Sequence, residues 1–543
     1  MVFARRSTTL LAAIIASCAM VLSLTACTSD NKTVVDGQTT VTSNSAGGVA
    51  VFTPSDGITL NQQTPLNKWA KLVPDLAKAL ADAGFKKGDI DHTTSDSLAK
   101  QSRAIQDFVV DHLSNNTTDD SGIAIAPDNM TLLVAPVVEA DASTRQYGDY
   151  ISQNLSTNDA TDGEATSDGE SSEDDSSKDD SSNTESDSTA SDEQAQAVDR
   201  LVSSLKLAKE SGMHVVLLGN SIEGYKPDAF VKFSDAQTIG KLQAEKMVSK
   251  LKLDKASKDN PKYIEVLLPY TAVDEKGNAN DSTFAQEAFR GIWQVLGSYY
   301  QKGVVESPSG TLDGKSTEND WQAVAYDAAK EGSTAKVLDK RLAKTDGQST
   351  LPRIDGIITM NDYIASEVVK ELDDLGYTGS AADINPQITI SGIVGNITGK
   401  KDLSRDAVPD PIKSPENDNA NDSSSSDDDA DEDTSASDKD RDSQWPLVTG
   451  YGAYVSNIPS IVNGKQWMTG MEDRQTIATD IAQACAKLNK DEALNSMPSI
   501  RNSEVGGVKK IPTISEPLLA VSASKLKPAL NEPGYISLAD AGL

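Results

Sequence analysis

The chain has 543 residues, 37% of them hydrophobic and 24% charged, with 82 acidic side chains against 50 basic ones and a formal net charge of −32. That balance excludes nucleic acid as a main partner, because phosphate would be repelled. Its three cysteines (Cys18, Cys27 and Cys485) leave no disulfide framework for one mature chain, so a hydrophobic core must supply stability, and the length is ample for two or more lobes.

The N-terminus carries a targeting signal. Arg5-Arg6 precede an apolar run over 10–24, too short at ~1.5 Å per residue against a ~30 Å hydrocarbon core for a comfortable span. A basic start, a short apolar stretch and small residues before the cut describe a secretory signal. Leu24-Thr25-Ala26-Cys27 resembles the bacterial lipoprotein signal-peptidase site, whose cysteine becomes the lipidated first residue. The expectation is a signal over 1–27, a lipid on Cys27, a hydrophilic tether over 28–47, and a protein held on the extracytoplasmic face of the cell membrane.

Beyond the tether, strand and helix signals alternate. Residues 48–52 read as a short strand, and Leu66, Trp69, Leu72, Leu76 and Leu80 give helical periodicity over 66–83, stopped by Gly84. A second helix covers 96–113, and 130–135 is a buried strand ending at Pro136. Residues 156–194 hold 14 acidic side chains and one lysine, with almost no apolar ones. Such a segment cannot bury enough surface to offset its ordering entropy, so it is expected to be a disordered acidic insertion. A helix over 198–211 and strands over 215–218 and 263–268 follow. Next come helices over 283–299 and 321–330, a strand over 354–360 and a helix over 363–375.

A second such insertion, over 414–442, has 12 acidic and two basic residues; together the two leave −9 for the rest of the chain. Its run 427–433 lacks the glycine turn and terminal glutamate of an EF-hand loop, so no metal site is assigned. A strand over 447–449 and a helix over 473–488 close the pattern, with Cys485 as a buried structural thiol. Apolar strands alternating with amphipathic helices give an α/β class with doubly wound parallel sheets, divided into two lobes. Ligands of such sheets sit beyond the strands' carboxyl ends.

Four stretches at strand ends or crossovers carry a family resemblance. They are Ile461-Val-Asn-Gly-Lys-Gln-Trp-Met-Thr469 with Asp473-Arg474; Phe233-Ser-Asp235 running to Gly240; Ile358-Thr-Met-Asn361-Asp362; and Ile511-Pro512 to Leu519. In this order they resemble the periplasmic sugar-binding proteins of the ribose/xylose type, with the type I solute-binding fold. The resemblance spans 48–543 apart from the insertions. It implies lobe 1 over 48–232 plus 467–514, lobe 2 over 233–466 plus 515–543, and three hinge crossings near 230–235, 466–471 and 512–517.

A sugar site needs aromatic faces for the ring and polar side chains for adjacent hydroxyls. By the resemblance, Lys68-Trp69 stands where the family has Arg-Trp, Trp321 where it has a stacking Trp, Asp235 on its ligand-binding Asp, and Asn361 on its ligand-binding Asn. Three positions depart from the pattern: Gly219-Asn220 replaces Asp-Arg, Ala236 replaces the turn's Asn, and Tyr451-Gly452 replaces Gln-Asp. Each lost charged hydrogen bond is worth ~1.5–3 kcal/mol, so the site is expected to be retuned or decayed. The candidate ligand-binding set is Trp69, Asn220, Asp235, Trp321, Asn361 and Tyr451.

Catalysis has no support: the three histidines (His92, His112, His214) lack metal-ligand spacing, and neither a nucleophile elbow nor a phosphate loop is present. No cofactor is expected. The resemblance implies a lipid-anchored solute-binding protein of an ABC importer, with a sugar as small-molecule ligand and the permease subunits as partners. Two alternatives stand beside it: a ligand-sensing lipoprotein feeding a membrane sensor kinase, and a surface protein with a decayed ligand site.

Overall fold

The computed structural model describes residues 46–55, 65–115, 129–138, 145–157, 185–273, 280–328, 330–344, 350–382 and 444–537. The signal, Cys27, most of the tether and the second acidic insertion lie outside these residues.

The first lobe is built from β1 (Gly48–Pro54), α1 (Trp69–Asp82), β2 (Ile90–Ser95), α2 (Leu98–Asn115), β3 (Met130–Val134), β4 (Asn154–Leu155), α3 (Glu185–Glu210), β5 (His214–Leu218), β6 (Ser221–Ile222) and β7 (Ala229–Lys232). The second takes α4 (Ala236–Leu251), β8 (Lys262–Val266), β9 (Leu268–Pro269), α5 (Thr283–Gln301), β10 (Val305–Glu306), α6 (Trp321–Val324), β11 (Ala325–Tyr326), α7 (Ser333–Arg341), β12 (Gly356–Ile358), α8 (Asp362–Leu375), β13 (Leu447–Tyr451), α9 (Ile458–Val462) and β14 (Met468–Met471). The chain then returns to the first lobe as α10 (Arg474–Leu488), β15 (Ile500–Val505) and β16 (Val508–Ser515), and ends in the second with β17 (Leu519–Ser522).

Two sheets result. The first has the order β15-β16-β7-β5-β3-β1-β2 and is parallel except for the β15–β16 hairpin. The second runs β10-β8-β12-β13-β14-β17, parallel except for the β14–β17 pair. Apolar clusters cover both faces of each sheet, which is why strands such as Met130–Val134 are buried at every residue. The protein is therefore α/β with two parallel-sheet lobes.

The chain passes between lobes three times: after β7, after β14 and after β16. The second crossing differs from expectation. Residues 468–471 belong to the second sheet, paired with β13 and β17, so the return to the first lobe follows Met471 and does not begin at 467. The first crossing enters α4 through an Asp235 cap, whose Oδ1 accepts from the Thr238 amide at 2.7 Å. Gly240, one turn on, is demanded by packing: a Cβ there would stand 2.3 Å from the Ala288 carbonyl, and one at Gly291 would stand 2.0 Å from that of Gln237. Helices α4 and α5 thus meet backbone to backbone.

Three further expectations are corrected. Helix α3 begins at Glu185, inside the segment read as a disordered insertion to 194, because extending a helix is far cheaper than nucleating one once Ala197, Leu201 and Leu205 anchor it. The helix expected over 321–330 stops at Val324, since Ala325–Tyr326 pair with Leu268–Pro269 instead. Ala46, placed in the tether, is buried against the first lobe's core. Cys485 is fully buried on α10, and burial pushes its thiol well up. Among the described residues no helix is long and apolar enough to cross a membrane.

Candidate functional site

Between β3 and β4 the chain makes a short strap, 145–153, that opens with a 3-10 turn at Arg145–Tyr147. Gly148 lets it bend (φ +96°), and any Cβ there would stand 2.5 Å from the Asn67 carbonyl. The strap is fixed to the first lobe by the start of α1. Asp149 Oδ2 accepts from the Trp69 amide at 3.1 Å, Asp149 Oδ1 pairs with Lys68 Nζ at 2.7 Å, and the Tyr150 hydroxyl donates to the Lys68 carbonyl at 2.6 Å. Lys68 offers the helix no side-chain cap, so Asp149 supplies one from outside.

The same strap also belongs to the second lobe. The Asn361 side-chain amide donates to Gln146 Oε1 at 3.1 Å, and the Tyr454 hydroxyl donates to the Gln146 carbonyl at 2.7 Å. The Tyr147 ring is buried 4.7 Å from Phe284 and 6.3 Å from Tyr451, and Tyr147 and Ile151 join the second lobe's core while Tyr150 joins the first's. The residues that receive the strap follow strands of both sheets: Asn361 comes soon after β12, Tyr451 ends β13, Asn220 follows β5. The strap therefore lies in the seam between the two sets of carboxyl ends.

Four of the six nominated ligand residues converge on it. Trp69 is buried, its ring 5.1 Å from Tyr150 and 5.6 Å from Phe233. Asn220 accepts from the Gln153 amide at 2.9 Å and donates to the Pro136 carbonyl at 2.9 Å. Asn361 caps α8, accepting from the Ile364 amide at 2.9 Å, and spends its amide group on Gln146. Tyr451 is fully buried, its ring beside Tyr147 and its hydroxyl on Ser234 and Glu472. The other two lie apart from the strap. Asp235 is engaged by Thr238 and by Lys232 at 2.7 Å; partial burial pushes its carboxyl up, but these partners outweigh it and hold the group below its ordinary value. Trp321 is half-buried, edge-on to Tyr270 at 5.2 Å on the second lobe.

Three features of this region are not apparent from the sequence alone. The strap's own signal is Tyr147, Tyr150 and Ile151 around a glycine, an apolar content unusual for a loop beside an acidic tract. The others are two buried carboxyls, Asp362 at the start of α8 in the second lobe and Glu472 in the second crossing. Asp362 is fully buried, with the Gln466 amide at 2.7 Å, Thr469 Oγ1 at 2.8 Å and the Tyr454 amide at 2.9 Å all donating to it; desolvation still pushes it up to about 6. Glu472, in the second crossing, accepts from the amide of Ser234 in the first at 2.6 Å and from that residue's hydroxyl. Desolvation pushes it up to about 7, against the pull of Ser234.

Glu472 thus makes the joint between crossings pH-dependent. Raised from 4.5 to about 7, it contributes stability that is fully present below its unfolded value and lost as pH rises through 7. Urea unfolding of the parent at about pH 5 and about pH 8 should differ on this account by on the order of 3 kcal/mol, favouring the lower pH. Glu472→Gln has no proton to lose and should flatten that part of the slope. Equal slopes in both proteins would remove Glu472 as the cause.

Among the described residues no group of three or more His, Cys, Asp or Glu side chains is placed to hold a metal. No protein-family model matches the chain, and neither does any curated protein. Solved structures do match. A solute-binding protein of an ABC transporter from Clostridium phytofermentans, with bound beta-D-glucose, is 16% identical over 91% of this chain and 99% of that one, with a TM-score of 0.43. A carbohydrate-transporter solute-binding protein from Chloroflexus aurantiacus in complex with D-glucose is 17% identical over 91% and 98%, also at 0.43. A periplasmic ribose ABC transporter protein from Conexibacter woesei is 13% identical over 90% and 97%, again at 0.43.

Proposed function

We propose that the chain is a lipid-anchored extracytoplasmic receptor of the sugar-binding, solute-binding-protein type, serving an ABC importer and taking a carbohydrate between its lobes. The observation that carries this reading is the architecture: two parallel-sheet lobes joined by three crossings, with strand carboxyl ends of both facing one seam. A ligand touching both lobes favours the closed form, and the permease would recognise that form. On the second lobe, the half-buried Trp321 and its neighbour Tyr270 supply the aromatic surface a sugar ring needs. The anchor would keep receptor and permease at high effective concentration.

Thermal-shift measurements on the protein without residues 1–27, against aldohexoses and pentoses, test the ligand class. A melting temperature that rises with sugar concentration is the expected result. The filled seam favours a second reading, in which the fold persists on the cell surface and binds no small molecule; a melting temperature indifferent to every sugar would favour that reading. The anchor has its own test. Cys27→Ser should move the protein from the membrane fraction to the soluble fraction with its unfolding curve unchanged, and continued membrane retention would refute lipidation there.

A further inference from the structure

We propose that the strap, 145–153, is a built-in occupant of the seam that holds the two lobes closed with no solute bound. The inference rests on the two-lobe receptor reading and adds to it how closure is controlled. In such a receptor, closure is stabilised by whatever contacts both lobes at once. Here the chain itself does so. Gln146 uses its side-chain and backbone carbonyls on Asn361 and Tyr454 of the second lobe, while Asp149 and Tyr150, three and four residues on, are held at Lys68 and Trp69 of the first.

The apolar side chains divide the same way. Tyr147 and Ile151 pack into the second lobe's core and Tyr150 into the first's, stacked 4.7 Å from Phe233. Pulling the lobes apart would therefore expose apolar side chains and break buried hydrogen bonds together. The closed arrangement is reinforced beside the strap, where the Leu66 amide donates to the Gly452 carbonyl at 2.9 Å across the lobes.

Two properties follow. Because the occupant is part of the chain, it competes at a local concentration no dilution can lower. A solute seeking the same ground binds in proportion to the fraction of time the strap is out. If that fraction is ~1%, apparent affinity falls about a hundredfold. The strap also takes the groups on which the sugar-binding resemblance relied, Asn220, Asn361 and the start of α1, so it stands where a ligand would.

The test is the distance between lobes. Lys78 on α1 and Lys330 on the second lobe are both exposed, and Cys485 is buried, so Lys78→Cys and Lys330→Cys accept spin labels selectively in the protein lacking residues 1–27. Without sugar, the parent should give one narrow distance distribution, and Gln146→Ala/Tyr147→Ala should give a broader and longer one. A parent that is already broad, or a double variant that keeps the narrow distribution, overturns the proposal.

If the variant does not fold, hydrogen exchange on the parent decides. Strap amides that exchange as slowly as those of β13 support the lock, and amides that exchange like an exposed loop overturn it. Adding glucose, ribose or arabinose separates this inference from the receptor reading. A parent that moves from broad to narrow on sugar refutes the strap and keeps the receptor. An opened variant that no sugar recloses keeps the strap and counts against the carbohydrate.

Discussion

Asp362→Ala is expected to lower the unfolding free energy by ~3 kcal/mol or more. Three donors converge on this carboxylate, the Tyr454 amide, the Gln466 side-chain amide and the Thr469 hydroxyl, and all of them are buried with it. The Tyr454 amide would be left without its acceptor, and Gln466 and Thr469 would keep only their longer contacts to the Met468 and Gly470 carbonyls, at ~1–3 kcal/mol per lost bond, partly offset by release from a buried charge. The site also explains a glycine: a Cβ at Gly450 would stand 2.2 Å from Asp362 Oδ1, so the strand must be bare where the carboxylate presses on it. Asp362→Asn keeps the shape and one acceptor and should recover about half the loss. Urea unfolding at neutral pH reads both variants, and an alanine variant within ~1 kcal/mol of the parent would remove Asp362 as the organiser of this end of the second lobe.

A loss of ~3–5 kcal/mol is likewise expected for Arg341→Met. Glu265 on β8 is fully buried, and desolvation pushes its carboxyl up while Ser309 and Arg341 pull it down. The Arg341 guanidinium lies 3.4 Å from it and also donates to the Val266 carbonyl at 2.6 Å and the Val324 carbonyl at 3.0 Å. One side chain thus ties α7 to the end of β8 and to the turn that follows Trp321. Methionine fills the volume but leaves a buried carboxyl without its cation. Adding Glu265→Gln should restore most of the stability, because no charge then remains to be compensated. A double variant as unstable as the single one would show that the carbonyl contacts matter more than the ion pair.

Much of this molecule was legible in its sequence because the relevant forces are local. Periodicity placed α1 on Trp69, Leu72, Leu76 and Leu80, all buried, and the apolar runs marked β1, β3, β5, β8, β12 and β13, while β2, β7, β10 and β14–β17 went unmarked. Asp235 and Asn361 were nominated as ligand residues through the family resemblance, and the structure shows each capping the helix it directly precedes. What those residues touch was not legible.

Asn361 meets Gln146 across 215 residues, Tyr454 meets it across 308, and Glu472 meets Ser234 across 238. Nothing in the period of a helix or strand encodes such pairs, so only the tertiary structure decides that the seam is filled from within. It also decides the lengths of elements that compete for partners. Residues 325–326 leave helix α6 to pair with β9 in a separate two-stranded sheet, where each segment satisfies the other's backbone groups. The acidic run from Glu185 becomes helix because the apolar turns after it have already met the cost of nucleation. Composition sets which segments can fold; contacts far away in the chain set where each one stops.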